Sequence, residues 1–301
     1  MENSNKNTLK KSSQILSNIV LGVIFTIMII LALSMIVPIV WLICASFKST
    51  SAFSFDPIYP PTNWRYMNYV ELFQNFKVRA VRPTQILTYG YFEMMGNSLL
   101  IAVITAVMGV FIPAITAYIV SKYNFPGKSA IYTTAIIVMI IPIVGSMPSR
   151  MSVLKFLNIY NNLIPYLLFT PGPFGFNFLL LYGAFKGISW DYAEAAFIDG
   201  ASHLRVMFTI MFPMMLPTFS TLFVMGFIGS WNDYMTIITW LPGYPNLASG
   251  MYNFQSEASR YGLGKPVIMA GFVVVMIPTV ILYFCTQKLI MSNMRVGGLK
   301  G

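Results

Sequence analysis

The stretch EAAFIDGASHLRVMFTIMFP, residues 194–213, sets two acids, a glycine, the chain's single histidine and an arginine between two apolar runs. Elsewhere charge is scarce. Of 301 residues 56% are hydrophobic and only 9% are Asp, Glu, Lys or Arg, with a mean hydropathy of +0.69. Soluble domains carry about 25% charged residues. A chain this poor in charge cannot cover its own surface in water, so the expected solvent is lipid.

Working outward from this island, the charge-free runs supply six candidate spans, at about 19–47, 96–121, 129–147, 163–185, 208–230 and 266–286. Each approaches the roughly 20 residues a helix needs to cross the hydrocarbon core. They are continuously apolar, not alternating, which favours helices over a barrel. The expected fold is therefore all-α, a single transmembrane domain over 1–301. The first run is too long for a signal-peptide core and ends in WLICASFK without a small-residue cleavage pattern, so it reads as an uncleaved span. With the N-terminus inside, ten of the 19 lysines and arginines fall on inner segments and nine on the longer outer ones. Positive density is then higher inside, and both termini are expected in the cytoplasm.

Net charge of +10 would suggest nucleic acid on a soluble chain. Here the cations are scattered between apolar runs with no basic stripe, as expected of charges that set topology and meet lipid headgroups. Cys44 and Cys285 lie in apolar runs without partners at metal spacing and read as small core residues. One histidine makes no metal site. No nucleophile–base–acid set and no phosphate-binding loop is present, so no catalytic or metal-ligating residue is assigned.

The stretch LLFTPGPFGFNFLLLYG (167–183) carries Pro171, Gly172, Pro173 and Gly175. Two readings stay open: a helix broken at membrane depth, where protein or a water-filled cavity must satisfy the freed carbonyls, or an outer loop followed by a short span from about Phe174. In the long outer loop 48–95, NWRYMNYVELF has the helical spacing of a short surface helix.

The inner loop 186–207 reads as two short helices. Ser189 is placed to cap the first, with Asp191 in its first turn, and Trp190, Ala193 and Phe197 fall on one face. Gly200 supplies a turn and Ser202 a second cap. Small Ala195 and Ala196 let another surface approach closely.

Glu194-Ala195-Ala196, three residues, Gly200, nine residues, Ile210, one residue and Phe212-Pro213 resemble the EAA loop of bacterial ABC-importer permeases. The one departure is Phe212, where the pattern usually has Leu. ASFKS (45–49), NSL (97–99), WND (231–233) and the ending GGLKG (297–301) extend the likeness, and the EAAFIDGAS version resembles the carbohydrate-uptake branch, in particular the shorter, six-span partner of maltose-type permeases. The resemblance implies a type I importer fold. It also implies a coupling helix, formed here by Glu194, Ala195, Ala196, Asp199 and Gly200, that seats in a separate ATPase. Implied partners are a second permease in a heterodimer, two cytoplasmic ATPase subunits that bind ATP and Mg, and an extracytoplasmic solute-binding protein facing 241–265. The expected location is the bacterial cytoplasmic membrane. This chain itself is expected to hold no cofactor and to be no enzyme.

Polar residues at membrane depth mark candidate pathways. Asn177 and the cluster Trp231, Asn232, Asp233 and Tyr234 offer amide, carboxylate and aromatic contacts of the kind sugars take. An ion-gradient transporter would need charged groups within the spans, and the six interiors have none; a membrane enzyme would need clustered His or acids.

Overall fold

The computed structural model describes residues 2–82, 85–141 and 145–296; the GGLKG ending lies outside them. The chain forms two compact units. One is built on residues up to Leu72 with Arg260–Val273, the other on Phe73–Ser259 with the chain from Val274 onward.

The first unit begins with α1 (Glu2–Ser46), whose apolar stretch Ser17–Ser46 is exposed along most of its length. Among the described residues of its own unit little covers it before Trp41, which fits a helix solvated by lipid. After it, the ASFKS segment becomes a hub: Ala45, Ser46 and Lys48 are buried. Asn68, on α3 (Met67–Asn75), donates its amide to the carbonyls of Ser46 (2.7 Å) and Lys48 (2.8 Å). The Lys48 ammonium reaches the Asp56 carbonyl just beyond α2 (Thr50–Phe55). Phe47 packs against Trp64 and Tyr69 at 5.1 Å each. The helix expected in this loop is thus present, but it starts at Met67 and leaves Trp64 outside.

In the second unit a hairpin of β1 (Val78–Val81) and β2 (Ile86–Tyr89), paired antiparallel, precedes α4 (Tyr91–Lys122). This ribbon departs from the all-α expectation; its alternating VRAV and ILTY carry the period-two pattern of a strand, unnoticed in an aromatic-rich loop. The 32 residues of α4 are about 48 Å long, enough to span with tilt. Its buried Ala102, Ala106, Ala114 and Ala117 leave room for close neighbours.

The six expected spans are realised unequally. Among the described residues three helices are long and apolar enough to cross a membrane, within α1, α4 and α15 (Lys265–Val296), and a fourth counts if one bent pair is a single span. The third expected span shrinks to α5 (Lys128–Ile140), 13 residues or about 20 Å. Ile141 turns extended at ψ 114 because Pro142 follows it, and a residue before proline disfavours helix. After α6 (Met147–Phe156), the fourth span is two helices, α7 (Leu163–Phe169) and α8 (Phe176–Lys186). Tyr166 and Leu167 of α7 share a core with Ile101 of α4, while Phe178, Leu181 and Phe185 of α8 share one with Val110, Ala114 and Tyr118. The two pieces thus meet α4 at different levels, α7 nearer its start and α8 further along, with a non-helical stretch at 170–175 between them.

The inner loop holds α9 (Asp191–Ile198) and α10 (His203–Val206). The fifth span continues from α10 through a π-helical turn (Met207–Met211) and α11 (Phe212–Met214), then bends by 73° into α12 (Leu216–Asn232). Here α12 runs antiparallel to α4, close enough that a Cβ at Gly226 would sit 3.5 Å from Ala106 Cα. Two helices, α13 (Met235–Trp240) and α14 (Leu247–Glu257), lead to α15. Cys44 is half-buried and Cys285 exposed, so the second is no core residue; it lies on the surface of an apolar helix.

Candidate functional site

Two polar regions stand out in the second unit, one at the Lys122 end of α4 and one beside its middle.

At the Lys122 end, the loop after α8 is tied down before it presents anything. The Lys122 ammonium donates to the Ile188 carbonyl. Tyr123 and the His203 Nδ1 are hydrogen-bonded at 3.0 Å, and the His203 ring packs on Phe197 at 4.7 Å. Trp190 meets Tyr123 at 5.5 Å and Phe197 at 6.0 Å, and Ala193 is fully buried between these anchors. The face read from helical spacing as Trp190, Ala193 and Phe197 is thus the face that holds α9 to the bundle.

Ser189 is not the N-cap of α9: that position is Trp190, which makes no side-chain cap bond, and Ser189 stands one residue earlier, its Oγ accepting from the Asp191 N–H at 3.3 Å. The helix closes by a Schellman turn. The Gly200 N–H donates to Phe197 O (3.0 Å), the Ala201 N–H to Ala196 O (2.9 Å), and Gly200 sits at φ +80. Nothing lies within 4 Å of where a Gly200 Cβ would be, so glycine is needed here for backbone conformation, not for space. Ser202 Oγ then accepts from Arg205 N–H and starts α10.

The opposite face is open. Glu194, Ala195, Asp199 and Gly200 are exposed, whereas Ala196 is half-buried against the core. Between the acids stand apolar groups that the sequence reading passed over: Tyr192, Ile198 at 87% exposed and Leu204 at 67%. For Tyr192 and Ile198 the signal was available, since both fall away from the Trp190–Ala193–Phe197 face; Leu204 stands on α10, beyond the Gly200 turn. Phe212, the departure from the usual Leu, is buried in an aromatic cluster. Its ring lies 5.2 to 6.4 Å from those of Phe111, Tyr118, Phe185, Phe208 and Phe219. The larger side chain is therefore matched by its surroundings.

The second region adjoins the middle of α4. A cavity of about 340 Å³ lies beside Ile101, Thr105 and Gly109 of α4, at the α7 break (Thr170, Pro171) and against Gly226 and Ser230 of α12. By helical rise it extends from roughly 15 to 27 Å along α4 from Tyr91. Two charged side chains line it, Arg150 from α6 and Asp233 after α12. The Arg150 guanidinium lies over the Trp240 ring at 5.0 Å, and Asp233 Oδ1 accepts from the Thr236 N–H at 2.9 Å.

The five sequence-assigned pathway residues scatter around this cavity. Asp233 lines it. Asn177 donates its amide to Gly109 O at 2.8 Å and links α8 to α4. Trp231 is buried and stacked on Phe227, the Asn232 amide donates to Ile228 O, and Tyr234 stacks on Tyr252 at 4.9 Å. In the sequence Arg150 is one of the nine cations on the outer segments. No local pattern marks it, because its partners come from helices far away in sequence.

Comparison with known proteins carries the identification further. Residues 109–296 match the profile of a family described as binding-protein-dependent transport system inner membrane component. The diacetylchitobiose uptake system permease protein of Streptomyces coelicolor is 26% identical over 280 residues, covering 90% of this chain and 86% of that one. The trehalose/maltose transport system permease protein of Thermococcus litoralis is 28% identical over 279 residues, covering 91% and 94%. In structure, a chain of a bacterial ABC transporter involved in the import of the acidic polysaccharide alginate superposes with a TM-score of 0.71 at 20% identity, over 90% of this chain and 97% of that one. That likeness shows the fold of an ABC-importer permease, a membrane-embedded helical architecture. With the family match covering well over half its length, the chain belongs to the binding-protein-dependent transport system inner membrane components.

Proposed function

We propose that this chain is a permease subunit of an ATP-driven, binding-protein-dependent importer of carbohydrate in a bacterial cytoplasmic membrane, with both termini inside. The observation that carries the reading is the exposed face of α9. Glu194, Ala195, Ile198 and Asp199 stand on a short helix whose other face is locked to the end of α4, so a push on α9 is transmitted to the spans and not absorbed by a loose loop. A soluble ATPase subunit is the partner this face suits: the apolar Ile198 and Leu204 offer buried anchors, the acids a polar rim. The ATP and Mg belong to that subunit. A second permease completes the pathway, and a solute-binding protein meets the opposite side around 241–265.

The relatives' sugar substrates support carbohydrate as the cargo, and the polar cavity supports a route for it beside α4. Alternating access would then be driven by α9 and α10 through the 73° bend. That bend is a natural hinge, because the π-helical turn and Pro213 already weaken the hydrogen-bond ladder there.

Reconstitution tests this. Vesicles holding this chain alone should neither hydrolyse ATP nor take up sugar. Uptake should require the second permease, the ATPase and the loaded binding protein together. Uptake by the isolated chain under a proton or sodium gradient would overturn the reading in favour of secondary transport.

A further inference from the structure

We infer that the cavity lined by Arg150 and Asp233 is a binding subsite, carried by this chain itself, for a neutral, hydroxyl-rich sugar unit in transit; the assignment rests on the carbohydrate reading above. Four observations build it. First, the position: the cavity lies well inside the length of an apolar 32-residue helix, where charged side chains are costly unless they serve a water-filled path. Second, part of its wall is the non-helical stretch between α7 and α8. Thr170 and Pro171, at the end of α7, face it, and irregular backbone at such depth is tolerated where it lines a cavity. Third, the two charges are not in direct contact. Among the described residues the ion pairs are Lys48–Asp56 and Arg65–Glu71, so Arg150 and Asp233 form no direct ion pair with each other. Instead Trp240 holds one and the Thr236 N–H the other. Fourth, Thr105, Thr236 and Ser230 add hydroxyls and the lining has no second charge of either sign.

The donor and acceptor inventory selects the ligand class. Arg only donates hydrogen bonds and an ionised Asp only accepts them. An anionic sugar would be drawn to Arg150 but repelled by Asp233, and a cation the reverse. A sugar hydroxyl both donates and accepts, so a neutral polyol satisfies the two groups at once. At about 340 Å³ the space is near the lower end of ligand pockets, which run from about 300 to 1,000 Å³. It takes a small part of an oligosaccharide, not the whole.

The test uses the complete importer in proteoliposomes, with its loaded binding protein at saturation. The probes are a panel of neutral oligosaccharides and their uronic-acid counterparts. Arg150→Gln and Asp233→Asn should each lower import of the neutral sugar roughly tenfold, the scale of one hydrogen bond to a charged group. ATPase stimulation by the loaded binding protein should stay within twofold. Asp233→Asn should also raise uronate import relative to neutral import, a change in selectivity that a merely structural role would not produce. Thr105→Val, which keeps the side-chain shape, provides a milder variant with a smaller loss in the same direction. Unchanged import in both charge variants, parallel loss of import and ATPase stimulation, or wild-type preference for the uronates would overturn the subsite alone. Import of neither sugar class by the wild type would overturn the carbohydrate reading, and the subsite with it.

Discussion

One end and the middle of α4 carry polar regions built by opposite means. At the Lys122 end, one contiguous segment folds on itself: α9, the Schellman turn at Gly200 and α10 fall within Asp191–Val206, and most of their caps are local. Beside the middle of α4, the cavity is assembled from α4, α6, α7, α12 and α13, and its two charges stand 83 positions apart in the chain, at 150 and 233. The first kind of site is a motif and survives as a string of residues. The second is a meeting point, and exists only once the helices pack. The difference also divides labour: a continuous element can move as one body against a partner, while a site shared by five helices changes shape whenever any of them shifts.

The comparison breaks most sharply at Gly200. With φ at +80, any other residue there bears the left-handed penalty of about 1–2 kcal/mol. Gly200→Ala imposes only that backbone cost, whereas Gly200→Trp adds bulk on the exposed side. We expect Gly200→Trp to reduce retention of the ATPase subunit in purified complexes by more than tenfold, with membrane insertion intact and Gly200→Ala intermediate. Co-purification with the tagged ATPase measures this. Full transport in the tryptophan variant would mean that this face docks nothing.

This contrast also explains what the sequence disclosed. The EAA spacing, the anchoring face of α9 and the Gly200 turn were legible because each depends on neighbours within a few residues. Six apolar runs were legible as well, but not how they would be used. Pro142 cuts the third run to 13 residues, the 171–175 break divides the fourth, and a π-helical turn and a 73° bend divide the fifth. Arg150 escaped notice because its significance depends on Asp233 and α4, and spacing along the chain carries no trace of that. The absence of charge from the interiors of the apolar runs was likewise a property of the runs, not of the cavity between them.

A smaller effect is expected at Ile198. It is 87% exposed on α9, so Ile198→Asp should leave the fold within about 0.5 kcal/mol of the parent. Lost apolar contact with a partner should cost above 1 kcal/mol, roughly a fivefold weakening of ATPase docking. Titration of the ATPase against nanodisc-held permease reads this directly. A fall in thermal stability equal to the fall in docking would assign Ile198 to the fold instead.

The smallest effect sharpens the comparison on the cavity's side, at Asn177. Its amide donates to Gly109 O at 2.8 Å, and Gly109 lines the cavity while Asn177 does not. A hydrogen bond between membrane helices is worth about 0.6 kcal/mol on average and about 1.7 at most. Asn177→Leu should therefore lower the thermal midpoint of the complex modestly and leave import within about threefold of the parent. A residue that gripped sugar would show the reverse, a large loss of import with unchanged stability. The Asn177 variant thus separates a side chain that holds the cavity's wall in place from Asp233, which faces the cavity itself, although both were drawn from the same list of polar residues among apolar runs.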